Sequence, residues 1–213
     1  MSDNKILSID IDYCLSHKDF EEVFELFCNS LSRIPKNKIL LSNHHIDILD
    51  LVGDIHDPMT IYNIDFHHDI FYDNDRNPAE LRNSIADSSN WLGWLFMHRT
   101  VKQYVWIKQD MSEPFDSDSL NCMSLMYDKS LSYDIIDSRN ILFNSKKAVL
   151  EKTTDAYLKC RPVVEVENRI KKYLYDIEFD YLFVCLSPDY TPKEHFFMYD
   201  LLQTATHHLS KKL

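Results

Sequence analysis

Short apolar segments of this chain end, one after another, in clusters of aspartate and histidine. Lys5–Ile9 runs into Asp10-Ile11-Asp12, Lys38–Ser42 into Asn43-His44-His45-Ile46-Asp47, and Ile61–Ile64 into Asp65-Phe66-His67-His68-Asp69. A last apolar segment, Asp180–Leu186, runs into Ser187-Pro188-Asp189. Runs this short read as strands, and the stretches between them carry helical spacing. His17 to Ile34 places Phe20, Val23, Phe24, Phe27 and Leu31 on one face, with Ser16 and Asp19 spaced as a capping box and Pro35 as the stop. A helical stretch through Leu51 and Val52 follows the second strand, and Pro78 fits the first turn of another helix. Trp91–Arg99 continues a helical pattern, and Tyr104–Lys108 reads as a fourth strand. Alternation of this kind predicts βαβ units, so the expected fold is α/β, a three-layer sandwich with a mostly parallel central sheet. One domain over residues 1–213 accommodates it. Residues 110–140, rich in Asp and Ser, break the rhythm and read as a loop or insertion. Helical pattern returns at 146–160 and 163–175, and His195–His208 forms an amphipathic helix at the end.

The composition removes several function classes. Two glycines, Gly53 and Gly93, cannot build a dinucleotide fingerprint, a P-loop or a kinase glycine loop. A formal charge of −11 argues against a nucleic-acid backbone as partner and suits a cationic ligand. The five cysteines are scattered without a CxxC pair, which supports neither a disulfide framework nor a thiolate zinc site. Cys14 and Cys185, at the ends of apolar runs, read as small core residues. With neither a signal-peptide pattern nor a run long enough to span a membrane, a cytoplasmic protein without membrane partners is expected.

Ligands of open α/β sheets bind outside the carboxyl ends of the strands. Four segments far apart in the chain would therefore deliver their acids and histidines to one edge. Residues i and i+2 of a strand project to the same side, which pairs Asp10 with Asp12 and Asp65 with His67, and Asp69 can curl back from the loop. Carboxylates this close repel unless a proton or cation lies between them. Oxygen and imidazole donors without thiolate suit Mn, Fe, Co, Ni or Zn in a reactive site. Two such ions about 3.5–4 Å apart would share a water and lower its pKa.

The same segments resemble the ligand motifs of the arginase-like ureohydrolases. The family's Asp-x-His-x-Asp motif is matched by Asp65, His67 and Asp69, and its Ser-x-Asp-x-Asp motif by Ser8, Asp10 and Asp12. The lone histidine after a separate strand corresponds to His45, with His44 the fallback. In ordinary arginases the Asp-x-Asp strand comes late, whereas here it comes first, as in a circular permutation, and the glycines flanking the lone histidine are missing. Both departures are similar to a narrower group, the peptide arginases, short relatives that convert arginine side chains of ribosomally made peptides to ornithine. Ile9-Asp10-Ile11-Asp12-Tyr13, His44-His45-Ile46-Asp47, Asn63–Asp69, Asn90-Trp91-Leu92-Gly93-Trp94 and Tyr104-Val105-Trp106-Ile107 carry the likeness over roughly the first 110 residues. Leu186–Pro192 extends it to the end of the sheet, while 110–175 carries no motif.

The resemblance implies an arginase-like fold and two Mn²⁺, with other divalent ions able to replace them. Asp10 and Asp65 would bridge, His45 and Asp69 would complete one metal position, and Asp12 and His67 the other. A hydroxide between the metals would attack the guanidinium carbon and release urea, and the partner would be an arginine-containing precursor peptide. A guanidinium needs a carboxylate partner, for which Asp189 is the candidate and Glu194 the alternative. His68 and His98 are candidate proton shuttles, and Asn90 a hydrogen-bonding partner to a ligand. Trp91 and Trp94 read as core. Two other readings keep the metals: an amide hydrolase or deacetylase, separated by release of acetate instead of urea, and a metal-stabilised peptide-binding protein that yields no product.

Overall fold

The computed structural model describes residues 3–69, 86–99, 101–109, 111–112, 133–134, 147–152, 158–163, 170 and 174–209. Its strands are β1 (Asn4–Asp10), β2 (Ile39–Ser42), β3 (Met59–Ile64), β4 (Val101–Ile107), β5 (Tyr133–Asp134), β6 (Lys147–Lys152), β7 (Leu158–Val163) and β8 (Tyr181–Cys185). They form one sheet in the order β2-β8-β1-β3-β4-β6-β7-β5. The first five in that order are parallel to one another. Helix α1 (His17–Leu31), the short helix α2 (Ile48–Val52), the helix Trp91–His98 and the C-terminal helix Phe196–Leu209 accompany it.

Side chains alternate across the parallel strands and supply two cores, one on each face. Ile6, Ile61, Tyr104, Trp106 and Phe183 pack with Ile48, Val52, Trp91 and Leu95 on one side. Leu7, Ile9, Val105, Ile107, Leu182 and Val184 pack with Phe20, Val23, Phe27, Met198 and Leu202 on the other. The layers are thus helix, sheet, helix. Ser16 caps α1, its Oγ accepting from Asp19 N at 3.2 Å and donating to Asp19 Oδ2 at 2.8 Å. No described helix is long and apolar enough to cross a membrane.

The expected helix over 146–160 is not there. Lys147–Lys152 and Leu158–Val163 are strands: β6 runs antiparallel to β4, and β7 antiparallel to β6. Ala, Leu, Glu and Lys are good helix formers, but propensity is a weak prior beside the hydrogen bonds an open sheet edge offers. The stretch read as a loop, 110–140, contains β5, which lies parallel to β7. Most of 163–175 and the expected helix start at Pro78 lie outside the described residues. Smaller differences are at the ends. α1 stops at Leu31, β3 begins at Met59 and β4 at Val101, while Lys38 and His195 belong to single 3₁₀ turns.

Register aligns the carboxyl edge. Ile9 pairs with Ile64 on β3 and Val184 on β8, and Asp10 and Ser42 both pair with Cys185. Asp10 and Cys185 are therefore level, and Asp65 is the first residue beyond β3.

Candidate metal centre

Four aspartates and two histidines meet at this edge. Asp10, Asp12, Asp65, Asp69 and His45 are buried, and His67 is half-buried. His45 sits in the 3₁₀ turn His45–Asp47 that follows β2, its ring stacked on Phe183 (centroids 5.5 Å apart, 18° between planes) and 4.9 Å from Trp91. From that slot its Nδ1 faces three carboxylates: Asp69 Oδ2 at 2.9 Å, Asp10 Oδ2 at 3.1 Å and Asp65 Oδ2 at 3.3 Å. Its Nε2 lies 2.9 Å from Ser8 Oγ, which holds the ring in place from behind. His67 Nδ1 pairs with Asp12 Oδ2 at 2.8 Å.

The carboxylates are themselves held. Asp65 Oδ2 accepts from Asn63 Nδ2 at 2.9 Å, Asp65 Oδ1 from His67 N at 2.8 Å and Asp12 Oδ1 from Phe66 N at 3.2 Å. Asp69 Oδ2 accepts from Trp91 Nε1 at 2.7 Å, and Asp10 Oδ2 from the Ser187 hydroxyl. Asp69 and Ser187 are the two described non-glycine residues with left-handed backbone, at φ 51° and 46°. That conformation costs such residues about 1–2 kcal/mol each, and both instances turn a polar side chain into the same site. For Asp69 it is the curl that returns the side chain to the strand ends.

Electrostatics show how strongly the cluster seeks positive charge. Burial, followed by the Asp69, Asp12 and Asp10 carboxylates, pushes Asp65 well above the usual carboxylate range. Burial and Asp10 raise Asp12 to about 6, against the pull of His67. Burial alone would strip the proton from His45, yet Asp69 and Asp10 overcome it and hold His45 at about 10. The same contest ends with His67 raised by Asp12, and with Asp69 lowered by His45 despite its own burial.

The donor set fits divalent cations. His45, Asp65 and Asp69 each offer an atom within 4.8 Å of the others, and so do Asp12, Asp65 and His67. Asp65 belongs to both groups, so two ions could share it. A divalent cation at either position satisfies several carboxylate oxygens that His45 and His67 now serve.

A cavity of about 180 Å³ opens over the cluster, lined by Asp10, Asp12, His45, His67, Asp69 and the exposed Tyr190. A second, outer cavity of about 340 Å³ shares Ser88, Ser89, Ser187 and Tyr190 with it and is lined further by Asn43, His44, Asp87 and Asp189. The residues named from sequence thus separate into groups. The six candidate ligands come together. His44 faces the outer cavity, and Asp189 is exposed on the same wall. Asn90 is buried and accepts from Asp87 N, Glu194 is exposed in the 3₁₀ turn Lys193–His195, and neither lines these two cavities. His68 is buried edge-on against Trp106, and the His98 ring lies tilted against Trp94 at the end of its helix, centroids 4.6 Å apart.

Sequence reasoning passed over Ser187, Asn63 and the bonding role of Trp91. A signal existed for Asn63: like Ser8 before Asp10, it stands two residues before Asp65, on the same face of its strand. Nothing local marks Ser187 or Trp91, because their partners lie 177 and 22 residues away. Compared with protein families, curated proteins and solved structures, the chain gives no match.

Proposed function

We propose that this chain is a binuclear-metal hydrolase that converts arginine side chains of a ribosomally made peptide to ornithine and releases urea. The observation that carries the reading is the pair of donor groups joined at Asp65, buried beneath an acidic cavity. Asp10, His45, Asp65 and Asp69 would hold one ion, and Asp10, Asp12, Asp65 and His67 the other. Two divalent cations, manganese by resemblance, would supply a nucleophilic water at neutral pH and stabilise developing negative charge.

The protein's own groups do the rest. An acidic cleft draws in a cationic side chain, and a small inner cavity that opens into a wider outer one suits a side chain carried on a longer backbone. Asp189, which lines the outer cavity, would meet the guanidinium, and Tyr190 lines both cavities with its ring 5.0 Å from that of His67. His44, also lining the outer cavity, is better placed than buried His68 to pass a proton to the departing amine.

The test uses the metal-free chain and an arginine-containing peptide, with and without Mn²⁺, followed by mass spectrometry. The expected product has lost one HNCNH unit per processed arginine, with urea released, and neither appears with Asp65→Ala. Acetate release from an acetyl-lysine peptide, without urea from any arginine peptide, would overturn this reading in favour of an amide hydrolase.

A further inference from the structure

The end of β8 adds a donor that the carboxylate and imidazole set leaves unused. Cys185 is fully buried, and register sets it level with Asp10 on one side and Ser42 on the other. Its Sγ lies 3.2 Å from the Ser187 hydroxyl, which bonds in turn to Asp10 Oδ2. Asp10, His45 and Cys185 each present a ligand atom, and the three atoms lie within 4.8 Å of one another. Asp10, His45 and Ser187 line the inner cavity, so an ion that enters it meets two of the three donors directly, with the sulfur buried beside them.

We propose that Asp10, His45 and Cys185 form a further cation site, selective for soft or borderline ions such as cadmium and zinc, that competes with the manganese-type centre. Thiolate favours such ions over manganese or magnesium, and one sulfur, one nitrogen and one carboxylate oxygen leave a tetrahedral fourth position for solvent. On binding, the Cys185 S–H breaks, its proton passes to solvent and the metal–sulfur bond forms. Any proton on His45 Nδ1 leaves in the same way, with no change of oxidation state. Competition follows from the histidine. Its Nε2 is engaged with Ser8 and its Nδ1 lies 3.1 Å from Asp10 Oδ2 and 2.9 Å from Asp69 Oδ2, so one imidazole is shared by this group and the His45–Asp65–Asp69 group. It cannot ligate both ions. The proposal rests on donor placement and stands whether or not the site hydrolyses guanidines.

The test is a titration of the metal-free full chain with cadmium chloride, following the near-ultraviolet thiolate-to-cadmium charge-transfer band. A saturable band is expected, lost in Cys185→Ser and kept in Cys14→Ser. The His45→Ala variant retains every cysteine, and its half-saturating cadmium concentration should rise by about tenfold or more. Excess Mn²⁺ should raise that concentration in the wild-type chain. No band, a band that survives Cys185→Ser in folded protein, or a titration indifferent to both Mn²⁺ and His45→Ala would overturn the site. Because the readout is spectroscopic, a chain with no hydrolytic activity leaves this result intact.

Discussion

Ser8 and His45 are the smallest unit whose removal should be felt at the centre. The Ser8 hydroxyl lies 2.9 Å from Nε2, opposite the nitrogen that faces three carboxylates. Ser8→Ala frees the ring to turn while leaving every candidate ligand in place, so metal affinity should fall by about 10–100-fold with the fold retained. Calorimetric titration with Mn²⁺ checks this, and an unchanged Kd would remove Ser8 from the site. Protonation gives a second expectation at the same scale. The folded pKa of His45, about 10, lies above its ordinary 6.5, so the stability it contributes is complete below the lower value and is lost as pH rises through the higher. Asp12, raised from 3.8 to about 6, acts with the same sign in a more acidic window. Metal-free protein should therefore melt lower at about pH 9 than at about pH 7. Metal must displace the His45 proton, so apparent affinity should climb by up to about tenfold per pH unit over that interval. A metal-free midpoint that rises with pH would contradict the assignment.

Elements differ in how much of their identity is local. Helix α1 carries its own start signal in Ser16 and Asp19, and its buried face, Phe20, Val23, Phe27 and Leu31, follows the 3.6 period. Ser16→Ala should cost about 1 kcal/mol, measurable as a lower urea midpoint at constant slope, with metal affinity untouched. The parallel strands were legible for the same reason: apolar runs bounded by polar residues have little else to become. β6 and β7 were not. Lys147-Ala-Val-Leu-Glu-Lys152 is a fair helix by propensity, and what makes it a strand is pairing of Gln103–Ile107 with Lys147–Glu151, a contact with no local trace. The ligand cluster was readable because its donors sit at strand ends. Its supports, Ser187 and Trp91, come from elements whose approach depends on the finished sheet.

At the scale of the whole molecule, the centre exists only when β1, β2, β3 and β8 are assembled, since its donors come from residues 10 to 69 and its wall from Ser187. An ion that binds this arrangement and not the unfolded chain must stabilise the fold by mass action. At a hundredfold excess over Kd the gain is about 2.7 kcal/mol per site, or roughly 5–11 °C for a chain of this size. Mn²⁺ should raise Tm by that order and a chelator should reverse it. Asp65→Asn separates the two roles of the shared carboxylate. In the metal-free chain this side chain meets three other carboxylates in a buried space that pushes its pKa far up, so a neutral amide of the same shape should leave metal-free Tm at or above the wild-type value. The same substitution removes the donor common to both groups and should abolish most of the Mn²⁺-induced rise. Differential scanning calorimetry of both proteins, with metal and with chelator, reads the two effects together. A full metal-induced rise in Asp65→Asn would show that the ions do not meet at Asp65. A steep loss of metal-free stability would show that its charge holds the apo fold together rather than straining it.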